Sequence, residues 1–202
     1  MTCGYSRGLR SETPKAPDVM RGEETQLLGA LGVDAAGEAV VCIPGTHSKW
    51  ARVSGGTVKR FATFMTGELF SVVSRETILS HAVVDADEAE DTEAFKSAVL
   101  AAFETPALAA NLLFQVRSSQ LLYGGSPSSA REKISGTLIG LELAAGLAGD
   151  QSSSSITLVA SGRLQVLYRL AFDTLSVAVQ SIDAEEAVRR GLSMSAEAIW
   201  TL

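Results

Sequence analysis

The stretch that most constrains the fold runs from Glu38 to Met65, where three strand-like segments follow one another across very short connections. Glu38 to Pro44 carries the apolar run Ala39-Val40-Val41-Cys42-Ile43, the length of a buried strand rather than of a helix. Lys49 to Ser54 alternates, with Trp50, Arg52 and Ser54 on one side and Ala51 and Val53 on the other. Gly55-Gly56 is a two-residue hairpin signal, and Thr57 to Met65 supplies a third strand. Connections this short join antiparallel neighbours, because a parallel pair needs a crossover of a dozen residues or so. The segment therefore predicts a three-stranded antiparallel meander.

At Thr66 the spacing changes from period two to helical. Thr66 is read as the cap of a helix from Gly67 to about His81. From Asp85 to Gly149 the pattern stays helical. Phe95, Val99, Ala102 and Phe103 mark one helix, and Pro106 opens another that carries Leu112, Leu113 and Val116. Ser126-Pro127 caps a third helix, rich in Ile134, Leu138, Ile139 and Leu143. A serine run at Gln151–Ser155 then leads to a strand, Ile156–Ala160, and the turn Ser161-Gly162. A helix (Arg163–Leu175), a strand (Ser176–Ile182) and a last helix (Asp183–Trp200) complete the chain. Upstream, residues 1–17 read as a polar tail or linker. Asp18 is read as the N-cap of a helix that buries Leu27, Leu28 and Leu31 and stops at Gly32. The order β-β-β-α-β-α-β-α predicts an α/β fold with a mixed five-stranded sheet and helices on its faces, a ribonuclease-H-like lobe. It spans residues 18–202 and holds a helical insertion at about 85–150.

Composition narrows the class. The chain has 202 residues and a net charge of -6, and its basic residues are not clustered, which argues against nucleic acid or an anionic membrane as partner. No apolar run approaches the ~20 residues of a spanning helix, and Met1 to Arg10 lacks the apolar core of a secretory signal. Two cysteines, Cys3 and Cys42, make no disulfide framework. Cys42 sits inside the first strand as a small hydrophobe, which suits a reducing cytoplasm.

Two short words carry the candidate chemistry. Arg21-Gly22-Glu23-Glu24 opens a helix, where acids either favour the helix dipole or stand ready to take a proton. Pro44-Gly45-Thr46-His47-Ser48 ends the first strand, as a plain hairpin turn or as a turn whose glycine and backbone N–H groups hold a phosphate. Arg21 is either a solvated cation or a planar clamp for a carboxylate. Ser161-Gly162 reads by itself as an ordinary strand-to-helix turn. Thr66-Gly67-Glu68 reads mainly as a helix start. His47 has no Cys, His or acid at ligand spacing, so it gives no zinc motif, and no metal-ligating residues are assigned.

The module order resembles one lobe of the sugar kinase/actin/Hsp70 superfamily. Four local words are similar to 2-dehydro-3-deoxygalactonokinase: Asp18 to Gln26 (Asp-Val-Met-Arg-Gly-Glu-Glu-Thr-Gln), Pro44 to Trp50 (Pro-Gly-Thr-His-Ser-Lys-Trp), Phe64 to Phe70, and Ser135 to Leu143. The likeness runs from about Pro17 to Trp200. It implies phosphorylation of 2-dehydro-3-deoxy-galactonate to its 6-phosphate, with ATP and Mg2+. It implies Glu23 as the base, by match to the acid word of glycerol-kinase-like relatives, with Arg21 and Glu24 on the sugar acid. It places Gly45, Thr46 and His47 at the ATP phosphates and Ser161 and Gly162 against the adenosine. The family's Asp-Gly-Thr-Thr-like turn, borne on an N-terminal lobe, has no counterpart in this sequence. The expectation is therefore a C-terminal lobe that acts with its N-terminal lobe or self-associates. The alternatives are a non-catalytic remnant that binds a sugar acid or nucleotide, and a related sugar kinase with another acceptor.

Overall fold

The computed structural model describes residues 8–11, 16–32, 37–86, 91–148 and 155–200. Cys3, most of the 1–17 segment and most of the serine run lie outside these residues. The chain divides into two compact units, one of residues 1–64, 151–169 and 178–202, the other of residues 65–150 and 170–177.

The first unit is built on a five-stranded sheet. Strands β3 (Glu38–Ile43), β4 (Ser48–Ser54) and β5 (Thr57–Phe64) form the antiparallel meander, with Cys42 opposite Trp50 and Trp50 opposite Ala62. β6 (Ser155–Val159) lies parallel to β3, and β7 (Gln180–Ile182) lies parallel to β6, giving the order β5-β4-β3-β6-β7. The mixed sheet agrees with the sequence reading. β3 is a continuous apolar run because both of its faces are covered. Val41, Ile43, Ala51 and Val159 pack on one side with Leu27 and Ala187. The alternate residues Val40, Cys42, Trp50 and Leu158 are buried as well.

Leu27 lies on helix α1 (Glu23–Leu31) and Ala187 on helix α8 (Ala184–Trp200). These two helices meet without side chains between them. A Cβ on Gly29 would run into the Ala187 carbonyl oxygen, and one on Gly191 into the Thr25 carbonyl oxygen. Glycine is required at both crossings because backbone approaches backbone. On the sheet's other face, the Ser48 hydroxyl meets the Tyr168 hydroxyl at 3.2 Å, from helix α7 (Gly162–Thr174).

The second unit is helical among its described residues. It contains α2 (Thr66–Glu76), α3 (Ser80–Val83), α4 (Thr92–Glu104), a 3-10 turn (Pro106–Leu108), α5 (Ala109–Tyr123) and α6 (Pro127–Gly146). The caps read in the sequence hold for α6, where Ser126 Oγ accepts from the Ser129 N–H at 3.1 Å. α6 is the axis, burying Ile134, Leu138 and Leu143. α4 closes onto it at Gly136 and Gly140, where a Cβ would strike the carbonyl oxygens of Phe95 and Val99. Buried Glu142 accepts a hydrogen bond from the Thr66 hydroxyl.

Several local expectations are corrected. Asp18 caps no helix: its carboxylate accepts from the Thr63 N–H at 2.7 Å and the Thr63 hydroxyl at 2.6 Å. It leads into β2 (Val19–Met20), which pairs with β1 (Leu9–Arg10), so part of the expected tail is a short ladder. Thr66 is the first residue of α2 and not its cap, since its hydroxyl is engaged by Glu142. The helix expected through His81 breaks at Thr77, whose hydroxyl donates back to the Val73 carbonyl at 2.6 Å and accepts from the Leu79 N–H at 3.2 Å. Such side-chain bonds compete with the helical ladder. β7 is shorter than the sequence suggests, because Ser176 turns with φ 57° and the Val177 N–H still bonds the Phe172 carbonyl at the helix end.

Candidate functional site

Three chain segments converge beyond the C-terminal ends of two interior strands of the first unit's sheet. β3 ends at Ile43 and the chain turns through Pro44, Gly45, Thr46 and His47 into β4. β6, the parallel neighbour of β3, ends beside it and turns at Ala160-Ser161 into α7. The N-terminus of α1 completes the wall. A cavity of about 470 Å³ opens between them. Glu23 and Gln26 line it from α1, and Gly45, Thr46 and His47 line it from the turn. Ala160 and Ser161 face them, with Leu164 and Ala184 contributing apolar surface. The volume is that of a small-molecule site, and its position beyond the strand ends is where open α/β sheets hold ligands.

Each polar residue is held by its local structure. α1 has no side-chain cap at Gly22, which sits at φ 110°. Its two leading acids fold back instead. Glu23 Oε2 accepts from the Arg21 N–H at 3.0 Å, and Glu24 Oε2 from the Gly22 N–H at 2.6 Å. These bonds satisfy backbone donors left open before the first helical turn. Glu23 Oε1 faces Lys49 Nζ at 3.5 Å. Lys49 is 5% exposed and also reaches the His47 carbonyl at 3.5 Å, so it links the acid to the turn. Across the cavity, Ser161 Oγ donates to Asp183 Oδ2 at 2.6 Å and accepts from the Ala184 N–H at 2.9 Å. Asp183 Oδ1 in turn accepts from the Glu185 and Glu186 N–H groups at 3.0 and 3.1 Å, capping α8.

The structure thus gathers Glu23, Gly45, Thr46, His47 and Ser161 around one space. Arg21, Glu24 and Gly162 are not among its lining residues. Arg21 is exposed just before α1, and Gly162 begins α7 at φ 58°. Several lining or supporting residues, among them Gln26, Lys49, Leu164 and Ala184, were given no site role in the sequence. Gln26 had a usable signal, since it lies one turn after Glu23 on the same helix face. Lys49, Leu164 and Ala184 had none, because their positions depend on which strands and helices become neighbours.

An acid, a glycine-containing turn and a second strand-to-helix turn thus share one cavity beyond the ends of two parallel strands. Comparison with known proteins specifies the family. Residues 5–195 match the family described as 2-keto-3-deoxy-galactonokinase. The chain is 55% identical over 196 residues to the probable 2-dehydro-3-deoxygalactonokinase DgoK1 of Rhizobium meliloti (strain 1021), covering 96% of this chain and 64% of the relative. It is 33% identical over 185 residues to the 2-dehydro-3-deoxygalactonokinase of Escherichia coli (strain K12), covering 90% of this chain and 61% of that one. A crystal structure of a Sinorhizobium meliloti protein superposes with a TM-score of 0.92 at 55% identity, over 96% of this chain and 65% of its own. The chain belongs to the 2-keto-3-deoxy-galactonokinase family, a family of carbohydrate kinases. It spans slightly less than two thirds of the length of these relatives. No single helix among the described residues is long and apolar enough to cross a membrane.

Proposed function

We propose that this chain is the C-terminal, ribonuclease-H-like lobe of an ATP-dependent kinase that phosphorylates 2-dehydro-3-deoxy-D-galactonate at its 6-hydroxyl, in the cytoplasm, in galactonate catabolism. The observation that carries the reading is the single cavity shared by Glu23, the Gly45–His47 turn and Ser161. The mixed sheet order β5-β4-β3-β6-β7, an antiparallel meander followed by two parallel strands, supports that reading. The family membership of 33–55% identical relatives named for this reaction supports the substrate.

The residues present fit a nucleotide triphosphate. A Cβ built on Gly45 would meet nothing closer than 3.8 Å, so the turn is open to an approaching phosphate. Thr46 and His47 are exposed at its tip. Gly45, Thr46 and His47 would hold the β- and γ-phosphates, and Ser161 and Gly162 the adenosine. Among the described residues, no three His, Cys, Asp or Glu side chains cluster as a metal cage. Mg2+ would enter with the phosphates, which it normally does with few protein ligands. Glu23 would orient the sugar hydroxyl and take its proton as the bond to phosphorus forms. Most of the acceleration in such a reaction comes from positioning and electrostatics. Arg21 and Glu24 would sit toward the sugar acid, Arg21 as the fork for its carboxylate. The buried Lys49 ammonium offsets the Glu23 charge, so the cavity wall is not a bare carboxylate facing an anionic ligand.

The test is direct. The chain is titrated with ADP and ATP by calorimetry, then incubated with ATP, Mg2+ and the sugar acid, with product followed by 31P NMR. Saturable nucleotide binding abolished by Thr46→Val and Gly45→Val supports the site. Absence of binding overturns it. Binding without product leaves the remnant reading, a nucleotide-binding lobe that no longer transfers phosphate.

A further inference from the structure

In the second unit the outward face of α5 is exposed. α5 packs inward through Ala109, Leu113 and Val116. Its outward side carries Phe114, Leu121 and Leu122, which are 59%, 67% and 70% exposed. At about 100° per residue, these three lie within a sector of roughly 100°, with Asn111 and Ser118 between them and Ala110 and Gln115 at its borders. Leu108, 52% exposed, extends the stripe at the helix start.

The polar side chains on this face make few demands on water. Gln115 Nε2 donates to Asn111 Oδ1 at 2.8 Å, and Ser118 Oγ to the Phe114 carbonyl at 3.4 Å. Arg117, at the flank, is turned back onto Gln120. The face itself carries no ionisable residue. Covering it therefore strands no charge and leaves the Gln115–Asn111 bond and the Ser118 hydroxyl bond in place.

We infer that the outer face of α5 is a self-association surface, on which a second copy of this chain seats the same face about a two-fold axis near Ser118. The area suits that occupant. Phe114, Leu108, Leu121 and Leu122 each leave on the order of 100 Å² of apolar surface in water. Together that is about 400 Å², close to the apolar share of the ~800 Å² per partner that a standard interface buries. A neutral face also matches itself. With a net charge of -6, two copies repel through most other surfaces, but not here. An anionic membrane would need cations on the face, and it has none.

The experiment is sedimentation equilibrium of the full chain over a concentration series, in a Cys3→Ser background. Ser118→Cys is added for cross-linking. The result expected is a reversible dimer that Phe114→Glu with Leu121→Glu weakens at least about tenfold. Trp200→Glu, which removes an exposed aromatic from α8, leaves the dimer intact. Ser118→Cys gives a disulfide-linked dimer under mild oxidation. If the double variant unfolds by circular dichroism, the wild-type series and the cross-link decide alone. A chain monomeric throughout the series with no cross-link overturns the inference. So does a dimer that dissociates on Trp200→Glu, or loss of the dimer to phospholipid vesicles.

Discussion

Lys49 Nζ stands 3.5 Å from Glu23 Oε1 and 3.5 Å from the His47 carbonyl oxygen, so one buried ammonium ties the acid of α1 to the turn after β3. Glu23 is also fixed through its other oxygen by the Arg21 N–H. Both carboxylate oxygens are thereby oriented before any ligand arrives. The arrangement joins two sequence words twenty residues apart into one rigid wall of the cavity.

Lys49→Met removes that tie while keeping the volume of the stem. In the proposed kinase reaction, kcat should fall about tenfold or more, with the ATP KM nearly unchanged. Lys49→Arg should restore part of the loss. In a Glu23→Gln background the further effect of Lys49→Met on kcat should vanish, since paired residues are non-additive. An additive double variant means that Lys49 acts on something other than Glu23.

The α1–α8 crossing predicts an unusual sign for a helix substitution. Glycine to alanine in an exposed helix normally stabilises by about 0.8–1 kcal/mol. At Gly29 and Gly191 the added methyl would enter the facing carbonyl, so the helices must separate. Gly29→Ala and Gly191→Ala should each destabilise by about 1–3 kcal/mol in urea unfolding. Because α1 carries Glu23, ligand binding in the cavity should weaken in the same variants. Unchanged midpoints would show that the two helices pack less closely than described.

Asp18 anchors the segment that precedes α1. It takes three donors: the Val19 N–H at 2.7 Å, the Thr63 N–H at 2.7 Å and the Thr63 hydroxyl at 2.6 Å. Charge-assisted bonds of this kind contribute about 1.5–3 kcal/mol before solvent exposure is discounted. Asp18→Ala should therefore lower stability by about 1–2 kcal/mol, and Asp18→Asn by less. A thermal melt identical to wild type would remove Asp18 from its anchoring role.

These particulars show what the residues alone could reveal. The meander was legible because Val40 to Ile43 is apolar on both faces and Gly55-Gly56 permits a two-residue turn. The cap at Ser126 was legible because capping is local. Asp18 misled for the same reason: an acid before a helix looks like a cap, and nothing nearby discloses that Thr63, forty-five residues on, supplies the donors. Thr66 and Thr77 misled because their hydroxyls answer to Glu142 and to the Val73 carbonyl. In the site, Glu23 and the Gly45 turn were legible as short words. Lys49 was not, since its direction follows from the pairing of Ile43 with Lys49 across the meander. Leu164 and Ala184 enter the cavity only because β6 settles beside β3 and β7 beside β6.

The last prediction separates the two adjacent acids. Glu23 lines the cavity, whereas Glu24 does not and holds the Gly22 N–H at 2.6 Å. In the proposed reaction Glu23→Gln should lower kcat by about 10²–10⁴-fold, the usual range for a positioned acid–base group. ATP affinity should hardly move, because the acid meets the acceptor hydroxyl and not the nucleotide. Glu24→Gln should leave kcat close to wild type and cost a few tenths to about 1 kcal/mol of stability, since a neutral amide accepts less strongly at a helix start. Arg21→Ala should raise the sugar-acid KM with kcat largely kept, the pattern of lost ground-state binding. Thr46→Val should weaken ATP and spare the sugar acid. Steady-state kinetics on the four variants checks the set. A Glu24→Gln variant that loses kcat while Glu23→Gln keeps it would assign the base to the neighbouring residue. The inward carboxylate of Glu23 would then serve only to hold Lys49 and the turn.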